Sequence, residues 1–161
     1  MNLNEIKFTE IGNVGDINEL KKVIIYLLNK LDTVKYKTEI IKLCFVLDYL
    51  YCKEYGVKNG PTTVDYVKYN YGPYSDKFIE AFEELKKEGK IVEVSLQFGI
   101  GYSSTDKTDI ITDEKIKKIA EEVISRFGTT SLREIKDFIY NLEEFNKTEF
   151  GKNIVLNLNG N

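Results

Sequence analysis

The chain predicts a predominantly helical α+β fold: about five helices packed with a small antiparallel sheet or hairpin. Three observations carry that expectation. Apolar residues recur at helical spacing in five windows of the 161 residues. Two shorter stretches, Val64–Tyr69 and Ile91–Leu96, are rich in strand-forming residues. Gly and Pro fall between these windows, at Gly56, Gly60-Pro61, Gly72-Pro73 and Gly89, where they end or redirect the chain.

Residues 1–15 form an N-terminal extension without a clear period, in which Glu5 to Thr9 is either a short edge strand or loose. A first helix starts at Asp16, with Asp16 and Glu19 as a capping pair and Ile17, Leu20, Val23, Ile24, Leu27, Leu28 and Leu31 facing inward. A second runs from an N-cap at Thr38 to Tyr55 and stops at Gly56. Its apolar stripe is Ile40, Ile41, Cys44, Phe45, Leu47, Tyr51 and Cys52. Asp48 falls inside that stripe, whereas Lys42, Val46 and Lys53 fall mostly outside it. The strand Val64–Tyr69 ends at Gly72-Pro73. Ser75 then caps a third helix, Asp76 to Glu88, whose inner side is Phe78, Ile79, Phe82 and Leu85.

Ile91–Leu96 enters a hairpin through Phe98-Gly99-Ile100-Gly101, with a return arm that takes in Tyr102 and, after a polar tip, Asp109-Ile110-Ile111. Thr112 caps a fourth helix, Asp113 to Phe127, with the favourably ordered pairs Glu114-Lys118 and Glu122-Arg126. A fifth helix starts at Thr130 or Ser131, with Leu132, Ile135, Phe138, Ile139 and Leu142 inward. The segment after it is too apolar for a purely disordered end, and the tail 157–161 frays.

Composition narrows the function classes. The net charge of -3, from 23 basic and 26 acidic residues, argues against sequence-independent nucleic-acid affinity. There is no histidine, which removes Ser-His and Cys-His pairs and the commonest metal ligand. No metal, cofactor or catalytic set is expected, and no pair of residues stands at a spacing that identifies a reaction. No segment reaches the roughly 18 apolar residues of a membrane span. The N-terminal sequence lacks the pattern of a signal peptide, so a cytoplasmic protein is expected. Cys44 and Cys52 sit eight residues apart on one helix, about 12 Å along its axis, beyond disulfide reach. They read as small buried thiols.

Two features carry the candidate chemistry. Asp48 puts a carboxylate on a buried helix face, which is costly unless it is paired or hydrogen-bonded. It either accepts hydrogen bonds from a tyrosine hydroxyl or from the amides of Tyr71 to Ser75, pinning that corner to the helix, or it meets a partner. The corner Tyr69-Asn70-Tyr71-Gly72-Pro73-Tyr74-Ser75 is stiffened by Gly72 and Pro73 and capped by Ser75. The tyrosines around it (Tyr66, Tyr69, Tyr71, Tyr74) are the expected partner-binding residues, because exposed tyrosines make large, stiff anchors. Gly99-x-Gly101 lacks a third glycine and a strand-to-helix setting, and reads as a hairpin turn rather than a phosphate loop.

The order of motifs resembles the SocA-like, or Panacea, domain family of antitoxins and prophage-associated proteins. The likeness lies in Lys42-Leu43 through Asp48, in the Tyr-Gly-Pro-x-Ser corner at Tyr71-Gly72-Pro73-Tyr74-Ser75, and in Thr148-Glu149-Phe150-Gly151-Lys152-Asn153-Ile154. The segment Lys58 to Thr63 departs from the family pattern. The resemblance implies a single domain over 16–156 that binds and neutralises a protein toxin without catalysis, and leaves oligomeric state open. A different class of function, a winged-helix-like DNA binder, would use Asp76 to Glu88 as recognition helix and 91–111 as wing. Four lysines against five acids from Ser75 to Lys90 weigh against it.

Overall fold

The computed structural model describes residues 14–108 and 110–157. The expected strand at Glu5 to Thr9, Asp109 of the return arm and most of the tail 157–161 lie outside the described residues. Six helices, a three-stranded antiparallel sheet and a two-stranded hairpin make up the rest. The fold is therefore helix-rich α+β, with one short helix more than the sequence predicts.

Helix α1 (Ile17–Leu31) begins where Asp16 accepts the Asn18 amide at 2.9 Å. Glu19 pairs with Lys22 at 3.2 Å instead of completing a capping pair. Strand β1 (Lys35–Tyr36) leads directly into helix α2 (Lys37–Tyr55), whose first turn is held by Glu39 Oε1 accepting the Tyr36 amide at 3.0 Å. The start is thus one residue before the expected Thr38 cap, while Gly56, at φ 63°, closes the helix as expected. From Glu39 to Asp48 every residue of α2 is buried, including Lys42 and Val46, which the helical wheel placed mostly outside the stripe. The reason is tertiary. The helix runs through the middle of the fold, with α4 (Glu114–Phe127), α5 (Leu132–Tyr140) and strands on several sides, so it has no solvent face there.

Strands β2 (Val67–Tyr69) and β3 (Gly72–Tyr74) form an antiparallel hairpin around Asn70-Tyr71. Gly72-Pro73 is therefore the return arm and does not merely end the strand. Ser75 Oγ accepts the Lys77 amide at 3.1 Å and starts helix α3 (Lys77–Lys87). Phe78, Ala81, Phe82 and Leu85 of α3 are buried, but Ile79 points outward and is 46% exposed. Strands β4 (Ile91–Leu96) and β5 (Gly99–Ser104) pair across a Gln97-Phe98 turn, and β1 lies on the far side of β5, giving the order β1-β5-β4. Gly99 and Gly101 are thus strand residues of a hairpin. The return arm ends at Ser104, and Ile111 is buried without being in a strand.

Asp113, rather than Thr112, caps α4, accepting the Lys115 amide at 2.8 Å. Glu122–Arg126 forms at 3.8 Å, whereas Lys118 reaches Glu54 at 3.0 Å and leaves Glu114 to Lys117 at 3.9 Å. Helix α6 (Glu143–Asn146) buries Glu144 against Lys53 of α2 as an ion pair. The segment beyond it returns to β2: Gly151 N donates to Lys68 O at 2.8 Å, Lys68 N to Lys152 O at 3.0 Å and Ile154 N to Tyr66 O at 2.8 Å. One buried apolar cluster runs from Leu20 to Leu156. No helix among the described residues is long and apolar enough to cross a membrane.

Candidate functional site

The site has a buried frame and an exposed groove, and α2 supplies both. Asp48 is 0% exposed. Its Oδ1 accepts the Thr62 amide at 3.1 Å, and its Oδ2 accepts the hydroxyls of Thr62 and, at 3.0 Å, Tyr66. Burial pushes the Asp48 carboxyl up to about 7, and the three hydrogen bonds pull it back only partly. The loop can approach this closely because Gly60 has no side chain: a Cβ there would lie 2.5 Å from Asp48 Cβ, Cγ and Oδ1. Burial, with the Asp48 charge second, also holds the Cys44 thiol well up and pushes Cys52 to about 12. Both cysteines are free, buried and protonated, not nucleophilic.

The carboxylate therefore pins the Gly60–Tyr66 loop, and the expectation that it holds the amides of Tyr71 to Ser75 is corrected. The corner is held instead by Lys42, whose Nζ donates to Tyr71 O at 2.6 Å. Lys42 and Asp48 are six residues apart, so at 100° per residue they face different sides of α2 and serve two different segments. Burial first, and the charge of Lys136 second, lower the Lys42 ammonium to about 8.

The structure separates the four tyrosines. Tyr66 is buried, its hydroxyl on Asp48 and its ring edge-on to Phe45 at 5.0 Å. It belongs to the frame and offers nothing to the surface, a correction to its expected partner-facing position. Tyr71 is 77% exposed at the hairpin tip, Tyr69 is exposed beside it and Tyr74 is half-buried. Tyr69 lies 6.0 Å from Tyr74 and stacks at 5.5 Å on Phe150, itself 61% exposed. Burial, together with the neighbouring Asp76 carboxylate that its hydroxyl meets, pushes the Tyr74 phenol well up. Gly72, at φ 113°, takes a backbone conformation that side chains resist, and it lies over the Lys42 stem. Pro73, in β3, and Ser75, just after it, are buried.

Between the hairpin, the start of α2 and the start of α3 lies an open groove of about 500 Å³. Thr38, Ile41, Tyr69, Tyr71, Pro73 and Ile79 give it apolar walls, with Lys42 at its floor and Lys37 and Asp76 at its margins. Sequence reasoning missed Lys42, Ile79 and Phe150 as members of this face. The Lys-Leu-x-x-x-x-Asp motif already contained Lys42. The Thr148–Ile154 run likewise contained Phe150, but outside any periodic segment, and Ile79 carried no local signal because it sits on an apparently apolar helix face. Among the described residues no group of three or more His, Cys, Asp or Glu side chains is placed to hold a metal ion.

No curated protein and no solved structure matches the chain. The family description "Antitoxin SocA-like, Panacea domain" matches residues 40–145. That span contains Lys42, Asp48, the loop that Asp48 holds and the whole Tyr69–Ser75 corner, and stops short of the Thr148–Ile154 run that lies along β2. With about two thirds of its length matched, the chain belongs to the SocA-like Panacea family of antitoxin-type domains.

Proposed function

We propose that this chain is a non-catalytic protein-binding module that neutralises a protein toxin, and that its partner face is the groove bordered by Tyr69, Tyr71, Tyr74 and Ile79 together with Phe150, which stacks on Tyr69 beside it. The observation that carries this reading is the exposure of Tyr71 on a hairpin braced from beneath by Lys42 and from the side by the 151–154 segment, with the exposed Phe150 ring stacked against its Tyr69. Large aromatic side chains held in place lose little entropy on docking, which is what an energetic centre of an interface requires. A tight complex needs roughly 1,200–2,000 Å² of buried surface, so the partner would cover the groove and its surroundings. The mechanism is steric: the plate occludes the toxin's working surface. Residues 16–156 act as one unit in this reading, supported by the single apolar cluster from Leu20 to Leu156.

The DNA-binding alternative draws less support. Two of the three lysines of α3 are engaged with acids of their own surroundings, Lys77 with Glu80 at 3.5 Å and Lys86 with Glu83 at 2.8 Å. If the reading is right, this gene sits beside a small gene that is lethal when expressed alone, and the test is co-expression of the two. Rescue of growth and co-purification are expected, with both lost on Tyr71→Ser combined with Phe150→Ser. Rescue that is indifferent to both substitutions would move the partner face elsewhere, and a salt-dependent shift of duplex DNA at physiological ionic strength would favour the alternative.

A further inference from the structure

The floor of the groove carries a cation for which the described residues supply no paired counter-charge. Lys42 is 3% exposed, yet among the described residues it makes no ion pair. Its Nζ meets the Tyr71 carbonyl at 2.6 Å, which uses one of three N–H donors. The charge nearest in effect is another lysine, Lys136. Lys37 adds a second positive group to the groove wall. The acid on the margin, Asp76, is met by the Tyr74 hydroxyl. A buried ammonium without a carboxylate is held in an unfavourable state that an incoming anion would relieve, and the apolar walls would strengthen that attraction by excluding water.

We propose that the groove receives an Asp or Glu side chain of a protein partner, flanked by apolar residues, with Lys42 Nζ as its counter-ion and Tyr69, Tyr71 and Ile79 packing beside it. The inference rests on the groove being the partner face, and it names the chemistry that this face selects. The groove is open to solvent, so a partner's side chain can be lowered to its floor. Neutralising the carboxylate of a buried pair has a large effect on affinity, whereas the same change opposite a rim charge has little.

The test is selection of short random peptides displayed on phage against the intact protein, followed by affinity measurement with synthetic peptides amidated at the C-terminus, so that side chains are their only carboxylates. Enriched peptides are expected to place Asp or Glu among aromatic or aliphatic residues. Changing that acid to its amide should weaken binding to the native protein by about tenfold or more, and to Lys42→Met by less than about twofold. Because the acid-to-amide change is made in the peptide, its tenfold effect is read on unaltered protein even if Lys42→Met fails to fold. Enrichment of peptides without an acid, dependence on a free C-terminus, an acid-to-amide effect equal on both proteins, or no enrichment would each overturn the proposal. If Tyr71→Ser abolishes binding while the acid-to-amide change does not matter, the partner face stands and the carboxylate inference alone falls. If neither matters, both fall.

Discussion

Replacing Asp48 by Asn should remove a specific pH dependence from the stability of this domain. In the folded protein the carboxyl titrates near 7, against 3.8 for an unperturbed aspartate. At 1.36 kcal/mol for each decade of proton affinity, that gap corresponds to roughly 4 kcal/mol. The sign follows from which state holds the proton. Below about pH 4 both states are protonated and burial of the neutral acid carries no ionisation penalty. Between about pH 4 and 7 the folded state keeps the proton and the unfolded state loses it, so stability falls as pH rises through that window. Asn preserves the accepting oxygen for the Thr62 amide, and the Thr62 and Tyr66 hydroxyls can rotate to accept from its Nδ2. The assay is urea unfolding followed by far-UV circular dichroism at several pH values for both proteins. The difference between native and Asp48→Asn stability should shrink by at least about 2 kcal/mol from pH 4 to 7.5, and using the difference cancels the other carboxylates. A difference that stays flat from about pH 2 to 7.5 would mean that Asp48 is not withdrawn from water. One that is flat above about pH 4 but rises between about pH 2 and 4 would mean that its three donors outweigh burial and hold the buried acid as an anion.

Gly60→Ala should destabilise by about 1–3 kcal/mol, seen as a fall in the thermal midpoint, because its Cβ must displace Asp48; an unchanged midpoint would show that the loop yields without loss. Ile154→Ala should cost about 2–4 kcal/mol in urea unfolding, since the buried side chain holds the last segment onto β2; a cost within about 0.5 kcal/mol would show that the segment adds nothing to the core. Phe150→Ser should leave unfolding within about 0.5 kcal/mol of the native protein but weaken co-purification of the partner, a separation that a merely structural role would not give.

What the sequence made legible follows the range of the interactions involved. Caps are local, so Asp16, Gly56 and Ser75 mark helix ends within a residue or so. The phase of α2 is also local, and it placed Asp48 on an inward face. What the carboxylate meets is not local. Thr62 and Tyr66 come from a loop whose path depends on Gly60 packing against Asp48, and helical periodicity says nothing about that. Lys42 looked solvated because a wheel assumes one wet face, and α2 has none at that level. Ile79 looked buried by the same assumption applied to α3. Strand β1 is two residues long and becomes a strand by meeting Tyr102 and Gly101 on a hairpin far along the chain. The stacking of Phe150 on Tyr69 likewise joins pieces that no short window contains.

The lateral support given to β2 by residues 151–154 has a bearing on biosynthesis. The hairpin that presents Tyr71 is translated first, but the segment that flanks it and the ring that stacks on Tyr69 are translated about 80 residues later, several seconds at about 5–20 residues per second. A nascent chain therefore displays an unfinished plate throughout that interval. If this face is the one that meets the proposed partner, capture awaits synthesis through residue 154, and the order and relative rate at which the two are made would determine how long the partner remains unopposed.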